Sequence, residues 1–105
     1  DILIERPLTE DELKRIANTI ALFHNKGVYH ADLNINNILF NEDGDVYIID
    51  FDRGELKVPN PQWQQNNMAR LKRSFSKEQG RNSVFNWQSN DWATLNALYS
   101  QKLSA

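Results

Sequence analysis

GVYHADLNINNIL, residues 27–39, decides how the rest of the chain is read. It sets His30, Asp32 and Asn37 among the apolar Val28, Leu33, Ile35, Ile38 and Leu39. Such interleaving describes a loop pinned against a core, with a few polar groups aimed away from it. Upstream, Thr9-Glu10-Asp11-Glu12 has the layout of a capping box, with Thr9 as N-cap and Glu12 reaching back. Leu13, Ile16, Ala17, Ile20, Ala21 and His24 then recur at helical spacing, and Gly27 is placed to close the helix. Downstream, Ile38-Leu39-Phe40 and Val46-Tyr47-Ile48-Ile49 are β-type runs. Asn41-Glu42-Asp43-Gly44-Asp45 between them is turn chemistry and predicts a hairpin. The loop therefore joins a helix to a hairpin.

Beyond the hairpin, Asp50-Phe51-Asp52-Arg53-Gly54 leaves the second strand at once, and Pro59 and Pro61 mark a loop. Met68, Leu71 and Phe75 share a helical face that Gly80 is expected to end. A last helix is expected from Ser89 or Asn90, with Trp92, Leu95, Tyr99 and Leu103 along one side. Ile2-Leu3-Ile4 reads as a strand end entering a linker. The expected class is α+β, mostly helical with a small β-hairpin. With 105 residues, 40% of them apolar, the chain suits one domain with a real core. Cysteine is absent, which excludes disulfides and thiolate zinc sites and fits a cytosolic protein. The acidic N-terminus lacks a signal-peptide layout, and no apolar run approaches the roughly 20 residues that span a bilayer. A net charge of −2 argues against general nucleic-acid binding. Residues 1–61 nevertheless carry twelve acids against six bases, and residues 62–105 two acids against six bases.

Asp32, Asn37 and Asp50 carry the chemistry. A hairpin folds back on itself, so its two ends are neighbours, and Asn37 precedes one end while Asp50 follows the other. Two carboxylates and an amide oxygen are the hard ligands Mg²⁺ prefers. Phosphoryl transfer needs such a set, with metal ions to neutralise the phosphates of a nucleotide and one carboxylate to take the attacking hydroxyl's proton. Each residue singly has an ordinary explanation as a turn cap or strand end. The ordered combination H-x-D-L-x-x-x-N, two β runs and a turn, then D-F, does not.

This combination resembles the C-terminal lobe of the protein-kinase-like fold. The resemblance implies that Asp32 is the catalytic base, that Asn37 and Asp50 bind the metal and with it the nucleotide, and that His30 packs beneath the Asp50 segment. Asn34 stands where protein kinases usually have Lys, Asp52 replaces the glycine of the Asp-Phe-Gly segment, and no Ala-Pro-Glu follows. Those departures point away from a protein substrate. GVYHADLN, NILF, IDFDRGEL and NNMARLKRSF resemble the lipopolysaccharide core kinases, and among them those acting on 3-deoxy-D-manno-octulosonic acid (Kdo). The resemblance implies ATP and Mg²⁺ as cofactors and a Kdo-lipid A precursor as acceptor, at the cytoplasmic face of the inner membrane of Gram-negative bacteria. It also implies a C-lobe spanning 1–105, with a hinge at about 1–8, a catalytic loop at about 28–37 and a DFG-like segment at 50–54. The Gly-rich N-lobe is expected to lie in a longer enzyme, so that the 105-residue piece alone is inactive. A heptose kinase, a RIO-type or other small-molecule kinase, and a non-catalytic kinase-like module are the alternatives. The basic residues Arg70, Lys72, Arg73, Lys77 and Arg81 read either as a solvated helix face or as a contact for anionic lipid or acceptor phosphates.

Overall fold

The computed structural model describes residues 7–49, 54–81 and 86–103, the side chain of Arg81 excepted. Helix α1 (Glu10–Asn25) opens on the expected capping box: Glu12 N–H donates to Thr9 Oγ1 at 3.1 Å and Thr9 N–H to Glu12 Oε1 at 2.8 Å. Its apolar stripe is buried together with His24. Gly27 follows with φ 79°, and its carbonyl accepts the Lys57 N–H at 2.7 Å. A Cβ at Gly27 would collide with the Lys57 carbonyl oxygen, so this crossing needs glycine on two counts.

Strand β1 (Val28–His30) leads into the 3₁₀ turn Ile35–Asn37. Strands β2 (Ile38–Phe40) and β3 (Val46–Ile48) form the expected antiparallel hairpin, with Leu39 opposite Tyr47. Its turn is organised by Asn41, whose Oδ1 accepts from the N–H groups of Asp43 at 3.0 Å and Asp45 at 2.8 Å, while Gly44 takes φ 82°. Strand β4 (Gly54–Leu56) then pairs antiparallel with β1, Val28 opposite Leu56 and His30 opposite Gly54. Part of what reads as loop in the sequence is therefore a second two-stranded sheet.

Helix α2 (Pro61–Arg81) is longer than expected at both ends. Pro61 starts it rather than marking a loop, because a first-turn residue has no intrahelical use for an N–H. Asn60 Oδ1 accepts the Gln62 N–H at 2.7 Å and caps that turn. Gly80 lies inside the helix instead of ending it, with open space where a side chain would be. Helix α3 (Ser89–Lys102) begins where predicted, and Asp91 Oδ2 accepts the Gln88 N–H at 2.9 Å at its start. One core unites the three helices through Leu13, Ile16, Ile20, Leu33, Met68, Leu71, Phe75, Trp87, Leu95 and Tyr99, with Trp87 stacked on Phe75 at 3.8 Å. Trp92 and Leu103 pack against it, half-buried. The apolar side chains of Leu39, Tyr47 and Ile49 remain exposed on the hairpin.

Candidate active site

Loop 31–37 begins where β1 ends, and its shape is set by amide side chains. The Asp32 carbonyl accepts two of them, Asn34 Nδ2 and Asn37 Nδ2, each at 2.9 Å. Asn34 Oδ1 also accepts the Asn36 N–H at 2.8 Å and caps the 3₁₀ turn. The position that carries Lys in many protein kinases is thus a structural tie here. Ser74 on α2 fixes the outer side: its hydroxyl accepts the Ile35 N–H at 3.0 Å and donates to the Leu71 carbonyl at 2.7 Å.

His30 joins this loop to the hairpin. Its Nδ1 accepts the Asp32 N–H at 3.1 Å, which requires the proton to sit on Nε2; Nε2–H then donates to the Ile49 carbonyl at 2.8 Å. The Ile49 N–H in turn donates to the Asn37 carbonyl at 2.9 Å. The structure therefore brings together Asp32, Asn37 and the residue that precedes Asp50 in the chain. Asp50, with Phe51, Asp52 and Arg53, lies outside the described residues, as do residues 1–6 of the expected hinge.

Asn37 is buried and spends its Nδ2 on the loop, which leaves Oδ1 as its remaining acceptor. An amide oxygen held in this way suits a hard cation, although the described residues contain no group of three or more His, Cys, Asp or Glu that could hold one alone. Asp32 is half exposed, and its Oδ1 receives Arg70 Nη2 at 2.8 Å. Arg70 thus belongs to the loop's own chemistry. The pair sits in a cleft of about 340 Å³ whose lining includes Asn34, Asn36, Arg73 and Lys77. The five basic residues taken together in the sequence are split by the fold: Arg70, Arg73 and Lys77 line this cleft, whereas Lys72 is exposed and outside it.

Beneath the site lies a buried polar chain that the sequence reading missed. Asn67 Nδ2 donates to the His30 carbonyl at 2.8 Å, and its Oδ1 accepts His24 Nε2–H at 2.9 Å. With Nε2 carrying the proton, His24 Nδ1 accepts the Tyr99 hydroxyl at 2.6 Å. Gln64 Nε2 donates to the His24 carbonyl at 3.2 Å. Burial strips water from the imidazolium and holds His24 below the usual histidine pKa; burial likewise raises that of Tyr99. The available signal was the spacing of Gln64, Asn67, Met68, Leu71 and Phe75, which puts two amides on the apolar face of α2.

Residues 4–99 match the family model of the lipopolysaccharide kinase (Kdo/WaaP) family. A 3-deoxy-D-manno-octulosonic acid kinase of Vibrio parahaemolyticus is 42% identical over 99 residues, covering 94% of this chain and 41% of the relative. The kinase of the same name from Xylella fastidiosa strain 9a5c is 45% identical over 75 residues, 71% of this chain and 30% of the relative. That from Xanthomonas campestris is 52% identical over 61 residues, 58% of this chain and 24% of the relative. The chain thus spans less than half the length of these curated relatives.

Proposed function

The chain belongs to the lipopolysaccharide kinase (Kdo/WaaP) family, and from that premise we propose that it carries the acceptor side of an ATP-dependent Kdo kinase. The acceptor is a hydroxyl of Kdo on a lipid A precursor, met at the cytoplasmic face of the inner membrane. The observation that supports this reading best is the His30 bridge, which ties the Asp32 loop to Ile49, the residue that precedes Asp50 in the chain.

In this reaction Asp32 is the general base. Arg70 holds Oδ1, so Oδ2 accepts the acceptor's proton as the sugar oxygen bonds to the γ-phosphorus of ATP. The bond from that phosphorus to the bridging oxygen breaks, and ADP leaves with the electron pair. Asn37 Oδ1 and the Asp50 carboxylate would hold Mg²⁺, which supplies charge neutralisation for the phosphates. Asn34 and Asn37 fix the backbone of the base, and His30 ties it to Ile49, the neighbour of Asp50 in the chain. Exposed Leu39, Tyr47 and Ile49 offer an apolar surface to the remainder of the enzyme.

The test is ADP release by the full-length protein that carries this chain, with ATP and Mg²⁺. The expected result is release that depends on a Kdo-bearing lipid. Equal release with a heptose-bearing acceptor would reassign the substrate, release without any acceptor would favour a RIO-type ATPase, and nucleotide binding without turnover would leave a binding module.

A further inference from the structure

The cleft beside Asp32 holds more positive charge than the base requires. Arg70, Arg73 and Lys77 recur at i, i+3 and i+7 of α2 and so share one helical face. Asp32 and Glu78 are the acids in the same lining, and Asp32 is already paired with Arg70. Among the described residues no ion pair engages Arg73 or Lys77. The opposite wall is the amide-rich turn Asn34–Asn36, clamped to α2 through Ser74, so the spacing between walls is fixed by the fold. A volume of about 340 Å³ lies in the range of small-ligand sites.

We propose that Arg73 and Lys77 form a subsite for an anionic oxygen group of the acceptor, which orients the reacting hydroxyl over Asp32. The inference rests on the kinase reading above and deepens it. A neutral sugar would have no use for two cations next to the base that no acid among the described residues pairs. A sugar acid does, since its carboxylate is ionised at neutral pH and can take a bidentate guanidinium contact. A phosphate of the lipid offers the same chemistry. Arg70 separates the subsite from the base: its bond to Asp32 Oδ1 keeps the acceptor's anion off the carboxylate that must take the proton.

The experiment compares the full-length protein with its Arg73→Gln/Lys77→Gln variant on three acceptors: Kdo-lipid, the same lipid with the Kdo carboxyl amidated, and the same lipid dephosphorylated. The variant is expected to raise KM for Kdo-lipid about ten-fold or more, the scale of a lost charge-assisted bond, with a smaller change in kcat and none in KM for ATP. If the anion is the carboxylate, amidation costs the wild type a similar factor and the variant little. If it is the lipid phosphate, dephosphorylation does so instead and the subsite stands with that source. Wild-type KM for all three acceptors in the variant would overturn it. A binding arm separates this from the kinase reading: free Kdo, its amide and inorganic phosphate are titrated against the ¹⁵N signals of the arginine side chains. Shifts with an anion in a protein that fails to turn over would leave the subsite standing and the kinase reading fallen. No shift with either anion would remove the subsite.

Discussion

The inner side of the molecule, where α1 packs chiefly on α3, and the outer side, where the loop meets α2, treat polar groups in opposite ways. Inside, His24, Asn67 and Tyr99 are buried and each uses its polar atoms on a defined partner. Outside, Asp32 and Arg70 are paired but half exposed, and Arg73 and Lys77 face an open cleft. Completed bonds make a scaffold, and uncompleted ones leave capacity for a ligand. The two sides meet at the backbone of His30, whose carbonyl is held from below by Asn67 and whose ring holds the Asp32 N–H above.

The largest effect should come from the outer side without disturbing the inner. Asp32→Asn in the full-length protein should lower kcat by roughly 10²–10⁴-fold, the usual contribution of a general base, while the melting temperature stays within a few degrees. A variant that keeps near-normal turnover at saturating acceptor would remove Asp32 from the mechanism. The mirror experiment is Leu95→Ala, at a fully buried position on α3. It should cost about 2–5 kcal/mol in denaturant unfolding yet leave kcat per folded molecule unchanged. A fall in kcat of the folded fraction would show that the two sides are not separable.

The same contrast explains what the sequence disclosed. The capping box at Thr9, the α1 stripe, the 38–48 hairpin and the start of α3 are local, set by residues three or four apart or by one turn. Loop 31–37 was legible because its motif is short and ordered. The pairing of β1 with β4 was not, since Gly54-Glu55-Leu56 is exposed throughout and carries no alternation to betray a strand. Pro61 and Gly80 misled because both residues are punctuation only in some positions: proline is suited to a helix start, and an exposed glycine costs a long helix only about 1 kcal/mol. Arg70 reached Asp32 across 38 positions of sequence, so a reading along the chain left it among five basic residues, open to a solvated helix face or to a contact for anionic lipid or acceptor phosphates. Asp50, named from the motif, lies outside the described residues and rests on the motif alone.

A pH titration probes the buried side by itself. The folded pKa of His24 is lowered by burial, so below the unfolded value of about 6.5 the unfolded chain takes up a proton that the native one resists. This contribution to stability is intact above about pH 6.5 and is lost as pH falls, by up to about 1.4 kcal/mol per pH unit, until the folded pKa is passed. Denaturant unfolding from pH 7.5 to 5 should show the slope, and His24→Gln should reduce it. A slope that the variant leaves unaltered would assign the acid sensitivity to other groups.

The smallest effect is expected at Arg15, and it sharpens the comparison within a single hairpin. At the tip, Arg15 of α1 donates to the Gly44 carbonyl at 3.1 Å and lies 3.8 Å from Asp45, while its Nε pairs with Asp11 at 2.9 Å. All of these contacts are exposed, so water and salt compete for each, and exposed pairs contribute only about 0.2–1 kcal/mol. At the other end, the hairpin is held by the Ile49–Asn37 backbone bond and by His30, shielded from water on the core side. Arg15→Gln should therefore cost about 0.5 kcal/mol, less in high salt, and leave kcat and KM as they were. Stability is read by denaturant unfolding at two salt concentrations, and activity by acceptor-dependent ADP release. If loosening the tip slows turnover, the hairpin moves as one body and the His30 end does not anchor it. If it does not, the geometry around Asp32 is fixed from below, by the buried chain that runs from Tyr99 through His24 and Asn67.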